Sequence, residues 1–162
     1  MTEIAFKVVA TGVLATLVMD IVSLMLKRVG LFDTPDYGLV GRWVGHMLTT
    51  RTFAHKSIGR ATPISSEKAI GWLMHYATGL VFAGILFGVT GSLWFQTPTL
   101  APALLMGLAT IVFPLFVMQP AFGLGAAARL TSNPRKALLR SLLNHLSFGL
   151  GLYLGAVGSA AL

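Results

Sequence analysis

The chain contains no cysteine, which removes thiol catalysis, disulfides and thiolate metal sites together. It is also short of charge. Asp, Glu, Lys and Arg make up 10 % of its 162 residues, against about 25 % in an average soluble domain. Acidic side chains are the scarcer kind, five beside twelve Lys and Arg, for a net charge of +7. No His-Glu-x-x-His spacing and no nucleophile–base pair stands out, so the reading leans away from an enzyme and assigns no metal ligands and no catalytic residues. A basic excess might suggest a nucleic-acid partner, but the basic residues cluster between apolar runs and not along a polar face, so none is expected. What the chain has in quantity is apolar surface. It is 55 % hydrophobic with a mean hydropathy of +0.78, the composition of a membrane protein whose first partner is the lipid bilayer.

Spans of about 20 residues cross a hydrocarbon core of about 30 Å, and four fit the chain, at about 4–26, 69–89, 101–128 and 137–161. The first is apolar except for Lys7 and Asp20. It is too long, and interrupted by an acid, for a signal peptide, so a retained span is expected. Within it Gly12, Thr16, Asp20 and Ser23 share one helix face. A connection of about forty residues follows, roughly 27–68. Its Asp33-Thr34-Pro35-Asp36 reads as a turn and helix start. Leu39, Val40, Trp43, Val44, Met47 and Leu48 then fall on one side of a helix, with Arg42 and His46 on another. This is an amphipathic helix at the membrane surface or across the end of the bundle. Thr62-Pro63 or Ser65-Ser66 would cap the next helix, with Glu67 at its positive end. A short uncharged connection, Gly91 to Leu100, separates the second and third spans. Pro114 and Pro120 break the third, which is tolerated inside a membrane where other groups satisfy the backbone.

The first and third connections, with Arg140 at the start of the fourth span, carry eleven of the twelve Lys and Arg and the second connection carries none. By the positive-inside tendency both basic connections are cytoplasmic and both termini lie outside. The expected architecture is an all-α four-transmembrane-helix bundle, a single integral domain over 1–162, with an amphipathic interfacial helix between the first two spans.

On that topology Asp20, His75, Gln119 and His145, one from each span, fall at depths of roughly 7–15 Å in the cytoplasmic half of the bilayer, at 1.5 Å per residue. Polar and ionisable groups there are costly and normally face the bundle interior. They form the candidate ligand- or proton-binding layer, with Arg42, His46 and Glu67 at its cytoplasmic mouth and Pro114 and Pro120 as the helix break. The plain alternative is that such residues only glue helices together, at roughly 0.5–2 kcal/mol each. Gly84 and Gly88, and Gly151, Gly155 and Ser159, form close-packing patterns that serve internal packing or a homo-oligomer equally well. Val18-Met19-Asp20 resembles Val117-Met118-Gln119, and Leu73-Met74-His75-x-x-x-Gly79-Leu80 resembles Leu143-Asn144-His145-x-x-x-Gly149-Leu150. Such pairs would suit a parallel duplication of a two-helix unit.

Met19-Asp20, Gly41-Arg42-Trp43, Gly71-Trp72 through His75-Tyr76, Pro98 through Leu104, Met118-Gln119-Pro120-Ala121 and Phe148 through Leu154 together resemble the bacterial membrane proteins grouped as DUF2938, over nearly the whole chain. The resemblance implies a small multi-pass protein of the bacterial inner membrane and supplies no catalytic residues or cofactor. Three function classes follow. One is a transport or permeation protein for a proton, ion or small solute, using histidines that titrate near neutral pH. Another is a cofactor or metal site, either bis-histidine haem b through His75 and His145 or a hard metal on Asp20 with histidines, or an enzyme acting on a lipid-soluble substrate. The third is an accessory or scaffold subunit.

Overall fold

The computed structural model describes residues 2–160, and among them every regular element is helical. We label five helices: α1 (Thr2–Arg28), α2 (Tyr37–Thr49), α3 (Glu67–Gln96), α4 (Leu100–Ala121) and α5 (Pro134–Ala160). Short 3-10 turns stand at Ile58–Arg60 and Ala126–Ala128. The all-helical reading therefore holds, and α2 occupies the place of the amphipathic connection helix. Asp36 caps α2, its carboxylate accepting from the Gly38 amide at 2.9 Å. Its side chain thus serves an amide at the helix end that has no partner within the helix.

Among the described residues three helices are long and apolar enough to cross a membrane: Glu3–Arg28, Glu67–Gln96 and Leu100–Ala121, of 26, 30 and 22 residues. α5 matches them in length, with 27 residues, but not in composition. Ser141, Asn144, Ser147 and Ser159 are buried along it, and four glycines dilute its apolar side chains further. Ala161, the expected end of the fourth span, lies outside the described residues.

Two boundaries differ from the sequence reading. α3 does not stop before Gly91 but resumes beyond it to Gln96. Gly91 itself is non-helical, at φ 74° and ψ 177°, a region essentially reserved for glycine. α4 ends at Ala121, seven residues before Ala128. Its prolines leave it α-helical over Leu100–Thr110 and widen it to a π turn over Pro114–Met118, where the Gln119 amide reaches back to the Pro114 carbonyl.

The chain divides into two compact units. The first comprises Met1–Asp33, Tyr76–Ile111 and Leu142–Leu162. Its core is built of small and large apolar side chains, among them Ala15, Ala83, Leu86, Phe148, Leu152 and Ala156. Its helices approach backbone to backbone. A Cβ on Gly151 would lie 2.6 Å from the Ala15 Cα, and one on Gly107 would lie 2.8 Å from the Gly149 Cα. Helices in lipid associate by such close packing, because tails as apolar as leucine supply no hydrophobic drive between them.

The second unit comprises Thr34–His75 and Val112–Ser141, with Trp43, Ile58, Ala121 and Phe122 at its centre. Here α2 crosses the start of α3, with Gly41 seated against the Glu67 carbonyl and Gly71 against that of Tyr37. The irregular stretch after α2 runs beside the end of α4. The His55 amide donates to the Ala121 carbonyl at 2.8 Å and that of Ile58 to Phe122 at 3.1 Å.

Candidate functional site

In the first unit, Asp20 lies on α1 and receives a hydrogen bond from the Tyr76 hydroxyl on α3 at 3.1 Å. Small residues bring the two helices close enough for this. Gly79, three positions beyond Tyr76, touches the Thr16 hydroxyl, and a Cβ on Gly12 would meet Leu80 at 3.0 Å. His145 on α5 is met by α4 in the same way. Its Nδ1 is 2.7 Å from the Thr110 hydroxyl, which is itself 2.7 Å from the Gly107 carbonyl. A threonine hydroxyl has one hydrogen, and the carbonyl can only accept it. His145 Nδ1 therefore carries its own hydrogen and donates to Thr110.

In the second unit, His75 lies on α3 with its Nε2 2.9 Å from the Tyr37 hydroxyl. The Tyr37 ring also stacks on the imidazole, at a centroid distance of 4.2 Å and an interplanar angle of 24°. Trp72 tilts against the same tyrosine, at 4.5 Å. Tyr37 is the first residue of α2, so the cap at Asp36 that starts this helix also sets the height of the hydroxyl. Gln119 sits where the π turn ends and is 8 % exposed. Its Oε1 has no hydrogen-bond partner among the described residues, an orphan acceptor of the kind native structures rarely leave buried.

Arg42 and Glu67 are bonded to each other, and His46 is bonded to the connection beyond α2. Arg42 clasps Glu67 bidentately, Nε to Oε2 and Nη2 to Oε1, both at 2.8 Å. Its Nη1 donates to the carbonyls of Ile58, Gly59 and Ala61 at 3.1–3.2 Å. All three guanidinium nitrogens are thus engaged inside the protein. The hydrogen-bonded Glu67 carboxylate holds the Arg42 guanidinium above the usual arginine range. His46 Nε2 is 2.8 Å from the Thr62 carbonyl, to which it must donate. The neighbouring His55 ring lies 5.0 Å away, edge to face. Burial, and then the nearby His46, push His55 below the ordinary histidine value.

The structure thus joins Arg42 to Glu67. It also gives three of the four layer residues a hydroxyl partner from another helix: Tyr76, Thr110 and Tyr37. Sequence reasoning missed all three hydroxyls. Tyr76 directly follows His75, and Tyr37 directly follows the cap residue of α2, so both stood beside residues already singled out. Thr110 had only its position four before Pro114 to mark it. Among the described residues no group of three or more His, Cys, Asp or Glu side chains gathers as a metal site would require.

No curated protein and no solved structure matches the chain. A family model does, over residues 9–159, and its description is a protein of unknown function. That match covers nearly the whole sequence and includes Asp20, Arg42, His75, Gln119 and His145, so the chain belongs to the DUF2938 family.

Proposed function

We propose that this is a multi-pass protein of the bacterial inner membrane, with α5 as a fourth crossing and both termini outside. In this reading it moves a proton, an ion or a small solute through a polar layer of Asp20, His75, Gln119 and His145 in the cytoplasmic half of the bilayer. Three helices with the length and apolar character of spans support the membrane assignment, and the basic residues concentrated in the first and third connections and at Arg140 support the orientation. The observation that carries the functional reading is the pairing of titratable groups with hydroxyls: Asp20 with Tyr76, His75 with Tyr37 and His145 with Thr110. Ionisable side chains inside a membrane mark ion pathways and proton relays. The Tyr76 and Tyr37 hydroxyls are each both donor and acceptor, so each can take a proton on one lone pair while releasing another, whereas Thr110, committed to the Gly107 carbonyl, orients His145. The buried, unpartnered Gln119 Oε1 adds an acceptor suited to water or a donor-bearing solute.

The test is proton flux into liposomes loaded with a pH-sensitive dye. Wild type should conduct above empty liposomes, and Asp20→Asn and His75→Ala should each lose most of that flux. If wild type, His75→Ala and empty liposomes give the same trace for protons and for small solutes, the transport reading fails. The layer is then left with fixing helix register.

A further inference from the structure

A cavity of about 250 Å³ opens in the first unit, lined chiefly by Glu3, Lys7, Phe87, Ser92, Phe95 and Gln96. It is separate from the polar layer: Lys7 and Asp20 stand 13 residues apart on α1, about 20 Å at 1.5 Å per residue. Its walls are chemically sorted. Phe87 and Phe95 form one side, their rings edge to face at 5.6 Å. Ser92 and Gln96, one helical turn apart beyond the non-helical Gly91, add two polar residues to the lining. Lys7 supplies the cation. Its side chain is only 17 % exposed, while that of its partner Glu3, 2.9 Å away, is 76 % exposed.

That ion pair is unequal. Lys7 is largely withdrawn from water and its counter-charge is not, so the attraction is screened on the Glu3 side. An ammonium largely withdrawn from water is held better by an anion that shares its environment. Glu3 has the chemistry of a stand-in, since a carboxylate entering the cavity would make the same bond from a drier position. The aromatic wall would then take that ligand's apolar body. The volume falls just below the range of about 300–1,000 Å³ usual for drug-sized ligands, so the ligand is smaller than those.

We propose that this cavity binds a small amphiphilic anion, a monocarboxylate with an aromatic or short alkyl body, whose carboxylate displaces Glu3 from Lys7. The same anionic chemistry occurs in the phosphate of an acidic lipid, and the experiment separates the two sources.

The probe is 4-(4-fluorophenyl)butyrate, titrated by ligand-detected fluorine NMR against the full chain in phosphatidylcholine nanodiscs, with empty nanodiscs correcting for partition into lipid. Wild type should bind saturably. Lys7→Gln should weaken binding by roughly tenfold or more, the scale of one charge-assisted contact, and so should replacing the probe by its uncharged amide. Glu3→Gln should strengthen binding, because it removes the competing carboxylate. Ser92→Leu, which fills the cavity from an exposed position and touches neither charge, should abolish binding with the helical signal unchanged. Equal binding of acid and amide overturns the proposal, as does binding insensitive to both Lys7→Gln and Ser92→Leu. Weaker binding by Glu3→Gln overturns it too, since Glu3 would then be holding Lys7 in place and not competing for it. Repeating the titration with phosphatidylglycerol in the nanodiscs assigns the source: an unchanged affinity identifies the free carboxylate, and Lys7-dependent displacement of the probe identifies the lipid phosphate.

Discussion

In the unit that carries Asp20 and His145, helices touch through glycine and alanine and are joined by the Tyr76–Asp20 and His145–Thr110 bonds. In the unit that carries His75 and Gln119, α2 also meets α3 through glycines, but its guanidinium, indole and imidazole reach in addition to an irregular stretch of chain. The reason lies in the backbone. Regular helices satisfy their own amides and carbonyls, so the first unit needs only close surfaces. The stretch after α2 is irregular, and its carbonyls have no ladder to join. Arg42, Trp43 and His46 supply the missing donors to five of them, at Phe53, Ile58, Gly59, Ala61 and Thr62. One amphipathic helix thereby does for this stretch what a helix does for itself.

The contrast can be broken most forcefully at Arg42. Arg42→Ala leaves a half-buried carboxylate and three carbonyls unserved and should destabilise the protein by about 3–5 kcal/mol, the cost of halving a buried pair. The paired change Arg42→Met with Glu67→Met should recover much of this, because no charge is then stranded. Thermal unfolding in detergent followed by tryptophan fluorescence reads both. If the single and paired variants unfold together, the clasp is not what holds the connection.

The first unit predicts a different sensitivity. Gly151→Ala presses a methyl group against the Ala15 backbone and should cost about 1–3 kcal/mol, as overpacked contacts do. Gly88→Ala points into open space and should gain up to about 1 kcal/mol by removing a flexible residue from a helix. Equal effects at the two sites would remove glycine packing as the basis of this unit.

A smaller change is expected from Tyr37→Phe. It keeps the stacked ring but loses the hydroxyl bond to His75, for about 0.5–1.5 kcal/mol. A loss as large as that of Arg42→Ala would mean that the hydroxyl holds more than one imidazole.

The smallest effect is set by pH. His55 is held below its ordinary value, so the folded state binds its proton less readily than the unfolded state. The docking of residues 53–58 should be fully stable above the unfolded value of about 6.5 and should weaken as pH falls below it towards the lowered one. Hydrogen exchange of these amides at pH 7.5 and at pH 5 checks the sign, and His55→Gln should flatten the difference.

Much of this was legible in the sequence where the signal was local. Asp36 announced α2, Glu67 announced α3, and the two prolines announced a break in α4. Signals that depend on a partner far along the chain were not legible. Arg42 meets Glu67 across 25 positions, and neither residue's neighbourhood names the other. Proline says that an amide is missing but not which register the helix adopts around it, so the π turn was not foreseeable. Gly91 reads as punctuation in sequence, yet here it interrupts a helix that resumes beyond it. The polar residues of α5 were counted as occupants of a span, and the same residues make that helix less apolar than the other three. For the candidate layer, counting at 1.5 Å per residue gives the expected depths. The hydroxyls did not, because tyrosine and threonine are ordinary in apolar helices until a neighbour is placed beside them.

The Thr110 hydroxyl gives the two histidines unequal grammars. Its hydrogen is committed to the Gly107 carbonyl, so His145 can only donate through Nδ1. Tyr37 meets His75 through a phenolic hydroxyl, which can serve as donor or as acceptor. The two imidazoles, alike in sequence context, therefore stand differently toward their partners. The sense of the His145 bond is fixed by Thr110, while that of the His75 bond follows the tautomer of its ring.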